Sequence, residues 1–510
     1  MISSLESLPD LFARLRQADP LNASILRAWQ ARLTQADDAE LTEVLRTMAA
    51  LTDLGYREEH LLAALWPVLT PRAPRLTPET LALLAKLYER WGTNLAGGGE
   101  LLRVLAMSGQ TAAIGAMIEQ LVAAPPPQAE QAVAPLVPLF RLKKLPVEVV
   151  FPRLLDGLAE PALAPAILDL ANYAVRGGHV SQHPAHARGK QLAALLAGVV
   201  AQLKTLEGRP PSEEAELTAA AQQVQDGITL AVCLCDALGL IGDSTAIAPL
   251  EAALELKHRR LRCEAAAALA RLGDERSAEL LAQMAAEPLV RLRAIRYAEE
   301  LNLEDRLDPR FTTPAALAEA QLTCWFAEPG QFGFPPTSCE LLDTRTLYWP
   351  GYAEPRECYL FRFVYQQPGG EYGGIAIAGP LTMAQATDVV DWPVEDLYAL
   401  FAGWHVDHPE VEYRPFEAFE PEHRDSVERF AAELADQGFE EIIPRLWGGY
   451  FGNELLVAEA RQGRIEGLAL IDNEGRAEFE PRRSGPRPFG PAELFHRYAG
   501  RRLLAQFNNA

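Results

Sequence analysis

Leu238–Gly239–Leu240–Ile241–Gly242–Asp243 returns 31 residues later as Leu269–Ala270–Arg271–Leu272–Gly273–Asp274. Arg260–Leu261–Arg262 returns as Arg291–Leu292–Arg293 at the same offset, and a decayed third copy ends at Leu303–Glu304–Asp305. A fixed beat in this range marks stacked supersecondary units. Within one unit, Arg262 to Leu272 is helix-forming almost throughout. Ala265, Ala268, Leu269 and Leu272 fall on one buried stripe. Gly273 supplies the left-handed residue that ends the helix. Asp274 stands where it can cap the next helix, Glu275 to Ala286. That helix turns Ala278, Leu281 and Ala285 inward. A single pair cannot hide its apolar face, so pairs stack on their neighbours.

These residues resemble the HEAT-like repeat, in the variant first associated with phycobilin lyases. The better match runs from Leu261–Arg262 to Asp274, and a weaker one from Val290–Arg291 or Leu292–Arg293 to Asp305. The chain is also similar to large bacterial HEAT-repeat proteins of unassigned role. The resemblance implies an α-α superhelix and carries no catalytic motif with it, because such repeats serve many unrelated functions.

The 510 residues are enough for two or three domains. The expected organisation is multidomain. An irregular α-helical array spans 1–225, HEAT-like repeats span 226–310, and an α+β domain with an antiparallel sheet spans 311–510. In the array, Asn22 is expected to cap a helix, Glu58–Leu69 to form another, and Thr77 to start the helix that begins at Pro78. In the last domain, Glu357–Tyr365 alternates as a strand, with Gly374–Ala378 as its partner. Val394–Trp404, Pro421–Gln437 and Pro491–Leu504 read as helices. Residues 454–480 read as a meander, and Trp447–Gly448–Gly449–Tyr450 as part of a glycine-rich turn.

A net charge of −22 opposes general nucleic-acid binding and attachment to anionic membranes. Six cysteines without a Cys-x-x-Cys fit a reducing cytoplasm. The N-terminus lacks the basic start and apolar run of a signal peptide, and no apolar run reaches the roughly 18 residues of a membrane span. Arg outnumbers Lys, and no Lys follows Lys257. With abundant Ala and Pro, this composition fits a GC-rich bacterial genome.

Several clusters invite chemistry. His179, His183 and His186 have spacings possible for a metal, but Pro184 breaks a common helix face, and an exposed loop is the favoured reading. Cys233 and Cys235 align with Glu264 and Ala266 of the next repeat and read as small residues in a tight core, and Cys324, beside Trp325 with no activating base in sequence, reads as core too. His405, Asp407 and His408 suggest a general base, although a helix end also favours histidine there. Trp404, His405, Trp447 and Tyr450 form a possible pocket or interface. No metal or cofactor is expected.

The sharpest anomaly is charge. From Lys257 to Arg296 nine Lys/Arg stand against five acids in an otherwise acidic chain. Arg259, Arg260, Arg262, Arg291, Arg293 and Arg296 are the candidate partner-binding residues, since guanidinium forks suit carboxylates. One arginine per repeat is expected to pair internally with loop aspartates such as Asp243 and Asp274, and the rest to receive an acidic segment. The reading is a protein-interaction scaffold. The alternative is an enzyme, lyase-like or with a pocket in the C-terminal domain. A third reading makes that domain a cap on the last repeat.

Overall fold

The computed structural model describes residues 7–17, 23–95, 97–207, 214–368, 370–386, 389–482 and 489–508. Asn22, the expected cap, lies outside them. The chain divides into two compact units, Met1–Leu281 and Ala282–Ala510.

The first unit is helical. It begins with α1 (Leu8–Arg16), α2 (Ala23–Gln35), α3 (Asp38–Ala49), α4 (Tyr56–Ala63), α5 (Trp66–Arg72) and α6 (Pro78–Trp91). It continues with α7 (Gly98–Met107), α8 (Thr111–Ala123), α9 (Ala129–Val133), α10 (Val147–Leu154), α11 (Ala164–Arg176) and α12 (Gly189–Glu207). The repeats follow as α13 (Glu214–Ile241), α14 (Ile247–Leu254), α15 (Arg259–Arg271) and α16 (Glu275–Gln283). The helix expected over Glu58–Leu69 is two, because the chain breaks at Leu65 just before Trp66–Pro67. Thr77 caps α6 by accepting from the Thr80 N–H.

The repeat punctuation works as its residues dictate. Gly242 and Gly273 both sit at positive φ. Asp243 accepts from the Thr245 N–H and Asp274 from the Ser277 N–H. The decayed copy has no glycine, and Asn302 takes the left-handed position that ends the next helix. One apolar core runs from Leu8 to Leu269. Gly239 lets α13 approach α15, since a side chain there would press on Ala268. The segment Ala221–Ile241 of α13 is long and apolar enough to cross a membrane, which the sequence reading did not expect; 56% of that window is buried inside the array.

The second unit holds α17 (Pro288–Leu301), α18 (Pro314–Phe326), β1 (Ser338–Leu347), β2 (Arg356–Gln367), β3 (Gly370–Ala378), β4 (Met383–Gln385) and α19 (Val394–His405). Then come β5 (Val411–Pro415), α20 (Pro421–Asp436), β6 (Phe439–Tyr450), β7 (Asn453–Gln462), β8 (Ile465–Asp472), β9 (Ala477–Pro481) and α21 (Pro491–Asn508). Two antiparallel sheets form, in the orders β1-β2-β3-β4 and β5-β6-β7-β8-β9. The fold is therefore a helical array followed by an α+β domain. Residues 447–450, expected in a turn, belong to β6, and the turn is confined to Phe451–Gly452.

This unit is built twice. Helix, four-strand meander, helix describes both α18–α19 and α20–α21. Leu397–Tyr398–Ala399–Leu400–Phe401–Ala402–Gly403 is matched 97 residues later by Leu494–Phe495–His496–Arg497–Tyr498–Ala499–Gly500. Gly374–Ile375–Ala376–Ile377 is matched by Gly467–Leu468–Ala469–Leu470. One β-bulge corresponds as well: β1 shifts register opposite Leu360 and Phe361, and β6 opposite Val457 and Ala458, although β6 has a further shift between Glu440 and Ile443.

The two central helices pack face to face between the sheets. Cys358, Leu360, Ile375 and Ile377 of the first sheet join Leu446, Val457, Leu468 and Leu470 of the second in the core around α19 and α21. On the outer faces, α18 covers Phe361 and Phe363 while α20 covers Leu456 and Ala458. The central crossing is a two-fold in miniature. A side chain on Gly403 would overlap the His496 carbonyl, and one on Gly500 would overlap the Ala399 carbonyl. These two contacts are equivalent under the 97-residue offset, 403 with 500 and 399 with 496.

Candidate functional site

Helix α15 opens on cations. His258 caps it by accepting the Leu261 N–H at Nδ1. That role needs a neutral ring, and burial, with the charge of Arg260, holds the His258 pKa below its ordinary value. Arg259 and Arg260 are exposed in the first turn, and Arg262 is half-buried. They stand at the positive end of the helix dipole, where a cation costs about 0.3–1 kcal/mol instead of gaining it. The Nε of Arg262 is buried without a hydrogen-bond partner.

On α17 the arginines part company. Arg291 is a buried structural residue, so it is withdrawn from the candidate outer row. Its Nε donates to the Ala285 carbonyl (2.8 Å), and its Nη1 donates to the Ala316 carbonyl (2.6 Å) and to Glu319 (2.7 Å). It also stacks over the Phe311 ring. The internal pairing expected of one arginine thus falls on Glu319. Asp243 and Asp274 are engaged as helix caps. Arg293 is half-buried, and Arg296 is exposed beside Glu300 at 3.5 Å.

The four aromatic and histidine candidates are not brought together. Trp447 and Tyr450 are three apart on β6, and strand alternation sends them to opposite faces. Trp447 lies 4.3 Å from the His423 ring on the α20 side, while Tyr450 packs between the sheets. Trp404 stacks on His496 at 4.8 Å. His405 accepts the Trp349 indole N–H at 3.0 Å, and His408 accepts the Glu410 N–H in a turn. A cleft of about 380 Å³ does open on the second sheet, lined by Glu441, Arg461, Glu480 and Arg482 among others, and by none of those four. Its charges are paired: Arg461 with Glu440 (2.6 Å), Arg482 with Glu466 (3.8 Å) and Glu480 with Arg497 (2.9 Å).

His183, expected on an exposed loop, is buried. Its Nε2 lies 3.0 Å from Asn172 Oδ1 and its Nδ1 accepts the Ala185 N–H, so in the neutral ring both nitrogens are occupied. Asn172 in turn donates to the Cys233 carbonyl. Burial lowers the His183 pKa to about 4. The folded state therefore favours the neutral ring, and stability is full above the unfolded value near 6.5 and lost as pH falls toward 4. Between pH 7.5 and pH 5 this loss is about 2 kcal/mol. Urea melts of the helical unit should show that slope, and His183→Gln should flatten it. An unchanged slope would remove the assignment. Cys233 and Cys235 are buried; desolvation, then the carboxylates of Asp169 and Glu264 respectively, push both thiols up.

Residues 216–302 match the protein-family model described as HEAT repeats. That segment of the chain is thus similar to HEAT repeats. It contains α15 and its opening arginines. No curated protein matches the chain.

The repeat itself is legible because its period is short and regular. The doubled C-terminal domain was missed. Its signal was available in Leu397–Gly403 against Leu494–Gly500, at an offset too long to meet the eye.

Proposed function

We propose that this chain is a protein-interaction scaffold whose HEAT segment receives an acidic segment of a partner at the start of α15. HEAT repeats generally mediate protein contacts, and stacked helices offer extended binding surfaces. The single observation behind the acidic preference is the placement of Arg259, Arg260 and Arg262. Three cations within the first four residues of a helix work against its dipole. The energy lost there is recovered by an anion that meets the guanidinium groups. Arg296, exposed on α17, is the further candidate. We place this scaffold in the cytoplasm, with neither nucleic acid nor membrane as its partner.

The test uses a fluorescein-labelled decapeptide of alternating Glu and Ser, measured by anisotropy at low and moderate salt. Wild-type protein should bind, and binding should weaken with salt. Arg259→Glu with Arg260→Glu should reduce affinity about tenfold, which corresponds to about 1.4 kcal/mol. Equal affinity in a variant with unchanged helical content would discard the reading.

A further inference from the structure

The two halves of the C-terminal domain differ at one edge. In the second half, β5 lies on the outer side of β6 and pairs with residues Tyr450 to Leu446. In the first half, β1 is the last strand of its sheet. The residues of β1 equivalent to Tyr450–Leu446 are Leu347–Asp343, since Leu347 faces Arg356 as Tyr450 faces Asn453.

Backbone directions show that this edge is built to pair. In the second half, Phe451 donates its N–H to the Glu410 carbonyl at 2.9 Å, the first rung of the β5–β6 ladder. The equivalent N–H in the first half belongs to Tyr348. It donates to the side-chain oxygen of Asn508 at 2.8 Å, and the Asn508 amide donates back to the Tyr348 carbonyl. One amide side chain therefore fills the first rung. Strand alternation turns Thr346 and Thr344 the same way as Tyr348. Glu357, opposite Thr346, points its carbonyl toward the other neighbour, where it lies against Gly379, and Tyr359 is opposite Thr344. Among the described residues, nothing pairs with the outward groups of Thr346 and Thr344.

The bulge in β1 does not blunt this stretch. Bulges commonly protect edges, but β6 carries the matching bulge and still accepts β5 immediately beyond it.

We propose that the outer edge of β1 over Asp343–Leu347 is a strand-acceptor site for an extended, neutral or basic segment of a partner protein. The segment binds antiparallel, as β5 binds β6. Main-chain hydrogen bonds supply the affinity in such addition, and alternate side chains the selectivity. The local charge sets the preference. Glu340, Asp343, Glu357 and Glu395 lie along the edge, against Arg345, Arg356 and Arg362, so acids lead by one. Arg345 is already shared between Asp343 and Glu395, each at 2.8 Å.

The test uses the full chain and a labelled peptide, Lys-Val-Thr-Tyr-Arg-Val-Lys, which keeps the Val-x-Tyr-Arg pattern of β5 and replaces its acids. Wild-type protein should bind it and protect the Thr344 and Thr346 amides from hydrogen exchange. Thr346→Pro removes an outward N–H without touching the β1–β2 ladder and should weaken binding at least tenfold, while Thr346→Ala should not. A peptide N-methylated on the groups facing β1 should fail to bind, which tests the site even where the proline variant does not fold. The same peptide with Glu for Lys should bind more weakly at low salt. Absence of binding at millimolar peptide, or binding indifferent to N-methylation, would overturn the proposal. So would sedimentation showing a dimer dispersed by Thr346→Pro, because the occupant would then be a second copy of the chain.

Discussion

Gly500→Val should unfold the C-terminal domain at temperatures where the wild-type domain is intact. The first carbon of any side chain at 500 overlaps the Ala399 carbonyl, which is main chain and has no rotamer to turn. The two helices must separate, and α19 and α21 carry the core on both sides. Overpacking a core typically costs about 1–3 kcal/mol, and valine at a backbone contact lies at or above the upper end of that range. Gly403→Val should have the same effect, because Gly403 meets the His496 carbonyl in the mirrored contact. Gly438→Ala, at a turn with open space around it, is the control and should lose about 1 kcal/mol for its positive φ alone. Thermal melts with hydrogen exchange over 394–405 and 491–508 read the result. A melting point for Gly500→Val equal to that of the control would disprove the crossing.

Arg291→Ala should release α17 from α18. The guanidinium joins the turn Met284–Ala286, through the Ala285 and Ala286 carbonyls, to the N-terminal half of α18, through the Ala316 carbonyl and Glu319. Removing one side of a buried charged contact costs about 3–5 kcal/mol when the partner is fully enclosed. Glu319 keeps some access to solvent, so about 3 kcal/mol is the expected loss. Arg291→Lys keeps the charge but lacks the fork and should recover less than half. Exchange of peptides spanning 285–326 should rise while the rest of the chain is unchanged. Unaltered exchange would show that the contact does not hold the two helices.

Arg291 also shows where sequence reading stops. Its identity in the repeat is legible, and Arg260 occupies the same place one beat earlier. Yet one is exposed and the other buried. The difference is made by α18, which supplies Ala316 and Glu319 from outside the repeat. Helix ends were legible because Gly273 and Asp274 act on their own neighbours. The faces of β6 were not, because Trp447 and its two glycines look like a turn until β7 is placed beside them. His183 sits beside a proline in a polar run, and only its distant neighbours reveal that it is enclosed. The best apolar surface of the C-terminal domain lies between its own two sheets, which neither sheet's sequence announces by itself.

The two halves differ in the stretch of chain that leads into each. Before α20 the chain runs as β5 and a short 3-10 turn, Phe416–Ala418; before α18 it runs as α17 and the turns Glu304–Arg306 and Pro309–Phe311. A tandem of two such modules has two rims and one internal connector. The connector seals the second rim on its way past. α17 and its turns stand where a strand like β5 would precede the first half, so the way the chain enters that half leaves the outer rim of β1 with no inbuilt strand beside it among the described residues.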